Sequence, residues 1–252
     1  MKFLGEEMIP LELKKDKYGL LYSDDIELVR QYSLPIDKRV FKHERYYISA
    51  FYPFKSTDEY IIKYSLTVFT KREIKKILEM LDTLVSKQKN VSNVDFPIGY
   101  YVFMKKLQGV VIKYYKDGVS LDNILLTKDI ENVGKYYYHE EDNIHNLFML
   151  FNDVLDLEYE MFENGIYYRD LNPGNLVLFN NKPKIIDFDY RYIRFDDVDC
   201  GLIDIMESYS LLLKEVLSNY KLIDGVEYIS KDFDDAKEFT KKLENKVRRN
   251  IK

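Results

Sequence analysis

Cysteine and histidine, from which disulfide frameworks and many metal sites are built, are scarce in this sequence. The single cysteine, Cys200, excludes an internal disulfide and has no partner thiols with which to form a metal cluster. Two of the three histidines, His139 and His145, are six residues apart, a spacing that does not place both on one face of a helix. We therefore expect neither a disulfide-stabilised fold nor a metal site built from cysteine or histidine.

Long apolar runs and a surplus of positive charge are absent as well. No segment approaches the length of a membrane-spanning helix, and the N-terminal residues carry acids beside their apolar side chains, unlike a signal peptide. The formal net charge is -5, whereas binding to a nucleic-acid backbone usually shows as an excess of Lys and Arg. We expect a cytoplasmic protein with no membrane partner and no nucleic-acid partner.

Linkers rich in proline or glycine are also missing, so a domain boundary must come from a change in structural pattern. Up to about residue 116 the sequence predicts short strands rich in β-branched and aromatic residues. One amphipathic helix interrupts them, and Thr70 with Glu73 forms a predicted capping box at its start. The predicted strands are Tyr46–Phe54, Glu59–Leu66, Tyr100–Met104 and Val110–Tyr115.

The second half of the chain is predicted to be mainly helical. Apolar residues recur at helical spacing in Asn143–Asn164, which Gly165 would cap, in Leu202–Ser218, and from about Phe233 onwards. The basic end of the last helix, which includes Arg248, is expected to face solvent. The sequence therefore predicts an α+β protein with a strand-rich N-terminal lobe, residues 1–116, and a helical C-terminal lobe, residues 117–252.

A polar hairpin is predicted within YRDLNPGNLVLFNNKPKIIDFDY, residues 168–190. Two apolar runs, Leu176–Phe179 and Ile185–Ile186, are joined by Asn180–Pro183, a segment of turn formers. A hairpin brings its two outer ends together. The polar residues before the first run and after the second are therefore expected to meet.

Asp170, Asn175 and Asp187 are the polar residues expected to converge. In order and spacing, YRDLNPGN followed by IIDFD resembles the catalytic loop and metal-binding motif of the protein-kinase-like superfamily, and DLNPGN is similar to aminoglycoside and lipopolysaccharide kinases of that superfamily. The resemblance implies a bilobal kinase-like fold, with a small strand-rich lobe and a helical lobe. The alternative interpretation is that these Asp and Asn residues are ordinary turn and cap residues.

The resemblance also implies an activity, the transfer of the γ-phosphate of ATP to a hydroxyl acceptor with Mg²⁺ as cofactor. Asp170 would orient the attacking hydroxyl and accept its proton. Asn175 and Asp187 would hold the magnesium against the phosphates. Arg169 would brace the loop, and Asp189 would either add an acidic ligand or cap the next turn.

The nucleotide site implied by the resemblance extends into the N-terminal lobe. YIIKYS resembles the strand that presents a lysine to the α and β phosphates, which implies Lys63, with Lys55 as a rival. The ion-pair partner of this lysine would be Glu79 by spacing or Glu73 by helical periodicity, and both stay open. Residues 110–125 resemble the strand, hinge and first helix of the large lobe. Adenine would then meet backbone groups of Tyr114, Tyr115 and Lys116.

The sequence departs from the family pattern in several places. No GxGxxG loop precedes Lys63, for which only Gly5 and Gly19 are available. The residues that replace the usual histidine, lysine and glycine of the motifs are Tyr168, Asn172 and Asp189 respectively.

The segment after the IIDFD motif is short. Only residues 190–201 precede the next predicted helix, without the APE motif and the docking platform that a peptide substrate uses. Asp199 or Asp204 would open that helix and tie down the catalytic loop. A protein serine or threonine is the favoured acceptor, with a small-molecule hydroxyl as a close second, and a kinase-like binding module without turnover is the alternative from another class.

Overall fold

The computed structural model of the chain describes residues 14–15, 21–23, 49–53, 60–65, 69–103, 106–223 and 225–251. The chain forms two compact units: Met1–Ser86 with Phe96–Lys116, and Lys87–Asp95 with Asp117–Lys252. Residues 87–95, which the sequence assigned to the N-terminal lobe, belong to the second unit. Helices and strands are both present, as expected for a mixed α+β protein.

The first unit contains a six-stranded sheet among its described residues. Its strands are β1 (Lys14–Lys15), β2 (Leu21–Ser23), β3 (Ser49–Pro53), β4 (Tyr60–Ser65), β5 (Gly99–Phe103) and β6 (Lys106–Lys113), in the order β1-β2-β5-β6-β4-β3. Neighbouring strands are antiparallel except β2 and β5. The last pair between β4 and β6 is Tyr60 with Lys113. β6 ends at Lys113, so Tyr114 and Tyr115 lie outside the strand that the sequence predicted for them.

Helix α1 (Lys71–Lys87) of the first unit is the predicted amphipathic helix. The capping box at its start is confirmed: Thr70 N and Oγ1 donate to Glu73 Oε2 at 2.8 and 2.7 Å, and Glu73 N donates to Thr70 Oγ1 at 3.3 Å. One face is buried through Ile77, Met80, Leu81 and Leu84.

Segment 87–95 is fastened within the second unit by side-chain bonds to a helix, α4, whose range is Asn143–Glu163. Glu160 of α4 accepts hydrogen bonds from Ser92 N at 2.6 Å and Asn93 Nδ2 at 3.0 Å. Lys184 Nζ lies 3.6 Å from Asp95 Oδ2. These bonds join residues far apart in sequence, and local patterning gave no sign of them.

The remaining helices of the second unit are α2 (Leu121–Leu125), α3 (Glu131–Tyr136), α5 (Val198–Asn219) and α6 (Phe233–Ile251). Their apolar faces, with that of α4, form a core in which Phe148, Phe151, Tyr209, Leu212 and Leu213 are at most 1% exposed. Helix α4 ends as predicted, with Gly165 at φ 65°. No helix within the described ranges is both long enough and apolar enough to cross a membrane.

Helix α5 begins four residues before its predicted start at Leu202. Asp197, at φ 63°, caps it by accepting a hydrogen bond from Cys200 N at 3.2 Å. Gly201, which the sequence placed just before the helix, lies inside it, and a Cβ at this position would overlap the ring of Tyr167. Close packing, and not chain reversal, requires this glycine.

Helix α6 also differs from expectation at its basic end. Arg248, predicted to face solvent, donates to Asp142 Oδ2 at 2.6 Å and to Glu244 Oε1 at 2.9 Å. Asp142 is the N-cap of α4 and accepts from Ile144 N and His145 N. The arginine therefore ties the C-terminal helix to the start of α4.

Candidate functional site

The predicted hairpin is formed by β9 (Leu176–Phe179) and β10 (Lys182–Ile185), which pair antiparallel in the order β10-β9-β7, where β7 is Val119–Ser120. Phe179 pairs with Lys182, so the turn consists of Asn180 and Asn181 alone, at φ 50° and 60°. Positive φ at both central residues is the type I′ geometry, which asparagine tolerates. The turn is two residues shorter than predicted, and Pro183 lies in β10, an edge strand that tolerates proline.

The open end of the hairpin brings its two flanking loops together. Ile186 N donates to Asn175 O at 2.8 Å, which holds the residue before Asp187 against the first loop. Asn175 Nδ2 in turn donates to Asp170 O at 2.8 Å and to Asp170 Oδ2 at 2.9 Å. Asp170 and Asn175 are therefore in direct contact. Asp187 is the next residue after Ile186, whose backbone bond to Asn175 closes the hairpin.

Tyr168 connects both loops, a role that the sequence did not reveal. Its single hydroxyl hydrogen is shared between Asp170 O at 3.1 Å and Ile186 O at 3.4 Å, and its oxygen accepts from Asn175 Nδ2 at 3.1 Å. The side chain is fully buried. Burial, followed by the charges of Asp170 and Asp187, raises the pKa of this phenol well above its usual value, so the hydroxyl keeps its proton.

Asn172 is a second residue whose role the sequence did not reveal. Its Oδ1 accepts from Gly174 N at 3.0 Å and from Asn175 N at 3.2 Å, and so caps the 3₁₀ turn Pro173–Asn175. Its Nδ2 donates to Asp170 O at 3.0 Å and to Asp170 Oδ1 at 3.2 Å. The side-chain oxygen and nitrogen of Asn172 are therefore both hydrogen-bonded.

The carboxylate of Asp170 is more basic than that of an exposed aspartate. Partial burial is the largest cause that raises its pKa, and the charges of Asp187 and Asp189 add to it. The amides of Asn175 and Asn172 act in the opposite direction, because they donate to the ionised form. Asp170 can accept a proton more readily than a solvated carboxylate can.

Asp187 has a backbone conformation that L-residues rarely adopt. Its φ is 66°, in the left-handed region, where a non-glycine residue is uncommon and strained. Such strain concentrates at binding and catalytic sites, where the surrounding structure holds it. The bond from Ile186 N to Asn175 O fixes the preceding residue and so helps to hold this conformation.

Asp189 was predicted either to bind metal or to cap the next turn, and its contacts are those of a cap. Its Oδ1 accepts from Arg191 N and Nε, both at 2.9 Å, and its Oδ2 accepts from Arg191 Nη2 at 2.7 Å. Both carboxylate oxygens therefore bind one guanidinium and one backbone amide. These contacts support the capping role, and metal binding by Asp189 stays a prediction.

Arg169 braces the loop through the short sheet of β8 (Tyr167–Tyr168) and β11 (Ile193–Arg194). Its backbone N donates to Tyr192 O at 3.0 Å, and its Nη2 donates to Arg191 O at 2.8 Å. The guanidinium is turned towards the segment after Asp189. This contact pattern agrees with the bracing role that the resemblance implied.

The helix that follows the site, α5, contacts the loop that contains Asp170 through Ser208, which was not expected, and through Asp204, one of the two expected aspartates. Ser208 Oγ accepts from Leu171 N at 2.7 Å, in a buried contact one residue from Asp170. Asp204 lies 3.2 Å from Arg194 Nε and 4.0 Å from Arg169 Nη1, whereas Asp199 is exposed in the first turn of α5. The predicted helix-opening role belongs to Asp197, and the hydrogen bond to the loop belongs to Ser208.

The nucleotide-binding residues expected in the N-terminal lobe are found in the first unit. Lys63 lies in β4, paired with Phe51 and Val110, and its side chain is half-buried. Glu73 is used in the capping box, and Glu79 Oε1 lies 3.5 Å from Lys75 Nζ. The choice between these acids as partner of Lys63 stays open.

The segment expected to meet adenine lies between β6 and β7 and contains Tyr114, Tyr115 and Lys116. Three other residues named from the sequence fall outside the described residues: Gly5, Gly19 and Lys55.

The donor set suits a hard cation such as Mg²⁺, which prefers oxygen ligands and keeps several waters or phosphate oxygens. Because Nδ2 of Asn175 faces three acceptor oxygens, which share its two hydrogens, the orientation of the amide is fixed, and Oδ1 is the atom that could bind a cation. In the described part of the chain, no group of three or more His, Cys, Asp or Glu side chains could hold a metal ion. An ion bound by Asn175 and Asp187 would therefore need further oxygens from a phosphate or water.

No protein-family model matches this sequence, and no curated protein matches it either. The function is therefore argued from the geometry and chemistry of the site.

Proposed function

We propose that the protein is a Mg²⁺-dependent phosphotransferase that moves the γ-phosphate of ATP to a hydroxyl acceptor. The observation that carries this proposal is the hydrogen-bonded cluster in which Asn175 binds Asp170 through its side chain and the Asp187 loop through its backbone. Phosphoryl transfer needs a base near the attacking hydroxyl and oxygen ligands that hold the phosphates nearby. The three residues supply both requirements within one hairpin.

Each residue has a defined task in this reaction. Asp170 accepts the proton of the attacking hydroxyl, and its raised pKa supports that task. Asn175 Oδ1 and the Asp187 carboxylate bind Mg²⁺, which neutralises phosphate charge and so allows an anionic group to be attacked. Tyr168 and Asn172 keep the loop in shape.

The acceptor is best described as a hydroxyl of a small molecule, with a protein serine or threonine as the second candidate. Helix α5 begins at Val198, so only residues 190–197 separate the Asp187 loop from the next helix. Of these, Ile193 and Arg194 pair with β8, and Arg191 binds Asp189. A segment this short and this fixed offers little surface on which a peptide could dock, which supports the smaller acceptor.

The test is Mg²⁺-dependent ATP turnover by the full chain, compared with Asp170→Ala and Asp187→Asn. Loss of a base or a metal ligand typically lowers the rate by about two orders of magnitude or more. Asp196→Asn is the matched control, because Asp196 is exposed in the same segment. Turnover that survives both site variants would refute the proposal, and nucleotide binding without any turnover would favour the binding module.

A further inference from the structure

Asn172 holds two different groups with the two ends of one amide. The oxygen accepts from Gly174 N and Asn175 N, and the nitrogen donates to Asp170 O and Asp170 Oδ1. A flipped amide would set its oxygen against two acceptors and its NH₂ against two donors. The hydrogen-bond network therefore fixes the orientation, with the donor end turned to Asp170.

The two oxygens of the Asp170 carboxylate each bind one amide. Oδ1 accepts from Asn172 at 3.2 Å, and Oδ2 accepts from Asn175 at 2.9 Å. A carboxylate held at one oxygen can still turn about its Cβ–Cγ bond, whereas one held at both oxygens has a defined plane. Each oxygen can accept more than one hydrogen bond, so both retain capacity for an attacking hydroxyl.

The bond from Asn172 is separable from the bond from Asn175. Asn175 is a proposed metal ligand, so its side chain has a second task, whereas among the described residues the Asn172 nitrogen bonds Asp170 alone. The capping task of Asn172 is performed by its oxygen alone. Its nitrogen is thus a group whose contacts serve only the orientation of Asp170.

We propose that Asn172 is a positioning residue whose amide nitrogen sets the plane of the Asp170 carboxylate for proton transfer from the acceptor hydroxyl. This inference rests on the proposed phosphotransferase function. A misplaced base lowers kcat but leaves ATP binding unchanged, because kcat depends on the orientation of the reacting groups.

Two substitutions of Asn172 remove the amide donor but keep an oxygen that can cap the turn. Asn172→Asp and Asn172→Ser both keep an oxygen that can cap the turn, and both lose the amide donor, but only Asp adds a charge. We expect each to lower kcat about tenfold or more while KM for ATP changes less than about twofold. Asn181→Asp, in the same hairpin but bonded to the backbone of Tyr138, is the control and should retain kcat.

The kinetic outcomes decide between three roles. Wild-type kcat in both Asn172 variants would show that Asn172 is only a cap and would overturn the inference. A loss in Asn172→Asp alone would assign the effect to charge and would overturn it as well. A similar loss in both, with melting temperatures close to that of Asn181→Asp, supports the positioning role.

Crystal structures of the wild type and Asn172→Ser give a readout that does not depend on turnover. We expect the Asp170 carboxylate to turn about its Cβ–Cγ bond in the variant while the Pro173–Asn175 turn keeps its shape. A carboxylate that stays in place would overturn the inference, whatever the activity. If the wild type has no turnover but the carboxylate turns in the variant, the proposed function fails and the positioning of Asp170 by Asn172 stands.

Discussion

Glu158 gives the sharpest prediction about stability. This residue of α4 is fully buried, and neither carboxylate oxygen has a hydrogen-bond partner among the described residues. Burial raises its pKa well above the usual value, so the folded protein keeps Glu158 protonated at a pH where the unfolded chain has already released the proton. Folding is therefore linked to proton uptake.

The sign of the pH dependence follows from that linkage. Below the unfolded pKa, about 4.5 for Glu, both states carry the proton and Glu158 has no pH-dependent effect. Above it only the folded state is protonated, so the free energy of unfolding falls as the pH rises, until the folded state also ionises. The slope approaches about 1.4 kcal/mol per pH unit, which amounts to roughly 1 kcal/mol between pH 5 and pH 6.

The measurement is urea denaturation of the wild type and Glu158→Gln at several pH values above 5. Gln has nearly the same shape and does not titrate, so the stability of the variant relative to the wild type should rise by about 1 kcal/mol between pH 5 and pH 6. Glu163→Gln, an exposed change on the same helix, is the control and should show no such rise. A constant difference between Glu158→Gln and the wild type would refute the reasoning.

Two further predictions concern hydroxyl groups that hold the loop containing Asp170. Tyr168→Phe should lower kcat by about tenfold or more, because the hydroxyl that links Ile186 O to the Asp170 loop is lost, and loss of a buried hydrogen-bond partner costs about 1–3 kcal/mol. Asp170 O keeps its bonds from Asn172 and Asn175. Tyr209→Phe, an equally buried loss of a hydroxyl away from the loop, should reduce stability alone. Ser208→Ala should lower kcat more than Ser210→Ala does, because Ser208 bonds the loop at Leu171 N whereas Ser210 bonds Tyr228 O. Steady-state kinetics and urea denaturation of both variants check this prediction. Equal kinetic losses in the two members of either pair would contradict these predictions.

Much of the candidate site could be predicted from the sequence because its signals are local. Asn180 and Asn181 indicate the turn, and the apolar runs beside them indicate the strands. A hairpin of known register then dictates that the residues at its outer ends meet. The bond from Ile186 N to Asn175 O follows from that geometry.

The residues that were missed act through tertiary contacts. A serine in an amphipathic helix gives no sign that its hydroxyl will meet a backbone amide 37 positions earlier, as Ser208 does. The predicted start of α5 at Leu202 left Gly201 outside the helix, whereas Gly201 lies within it and makes room for the ring of Tyr167. Tyr168 and Asn172 were recognised only as substitutions in a motif, since their hydrogen bonds depend on how the loop folds back on itself.

The fold was predictable to a similar degree. The apolar periodicity located α1, α4 and α6 to within a residue or two, because each buries one continuous face. Segment 87–95 was assigned to the wrong half, since its attachment depends on a few polar contacts to Glu160 and Lys184. Sequence neighbours on both sides belong to the first unit, and no local pattern marks the change.

The central claim, that Asn175 and Asp187 bind Mg²⁺ with ATP while Asp170 acts on the acceptor, is tested most directly by calorimetric titration of ATP with and without Mg²⁺. The account predicts that Mg²⁺ tightens ATP binding to the wild type and to Asp170→Ala, and that Asp187→Asn loses this enhancement. ATP binding that is indifferent to Mg²⁺ in the wild type, or that keeps its full enhancement in Asp187→Asn, would contradict the account.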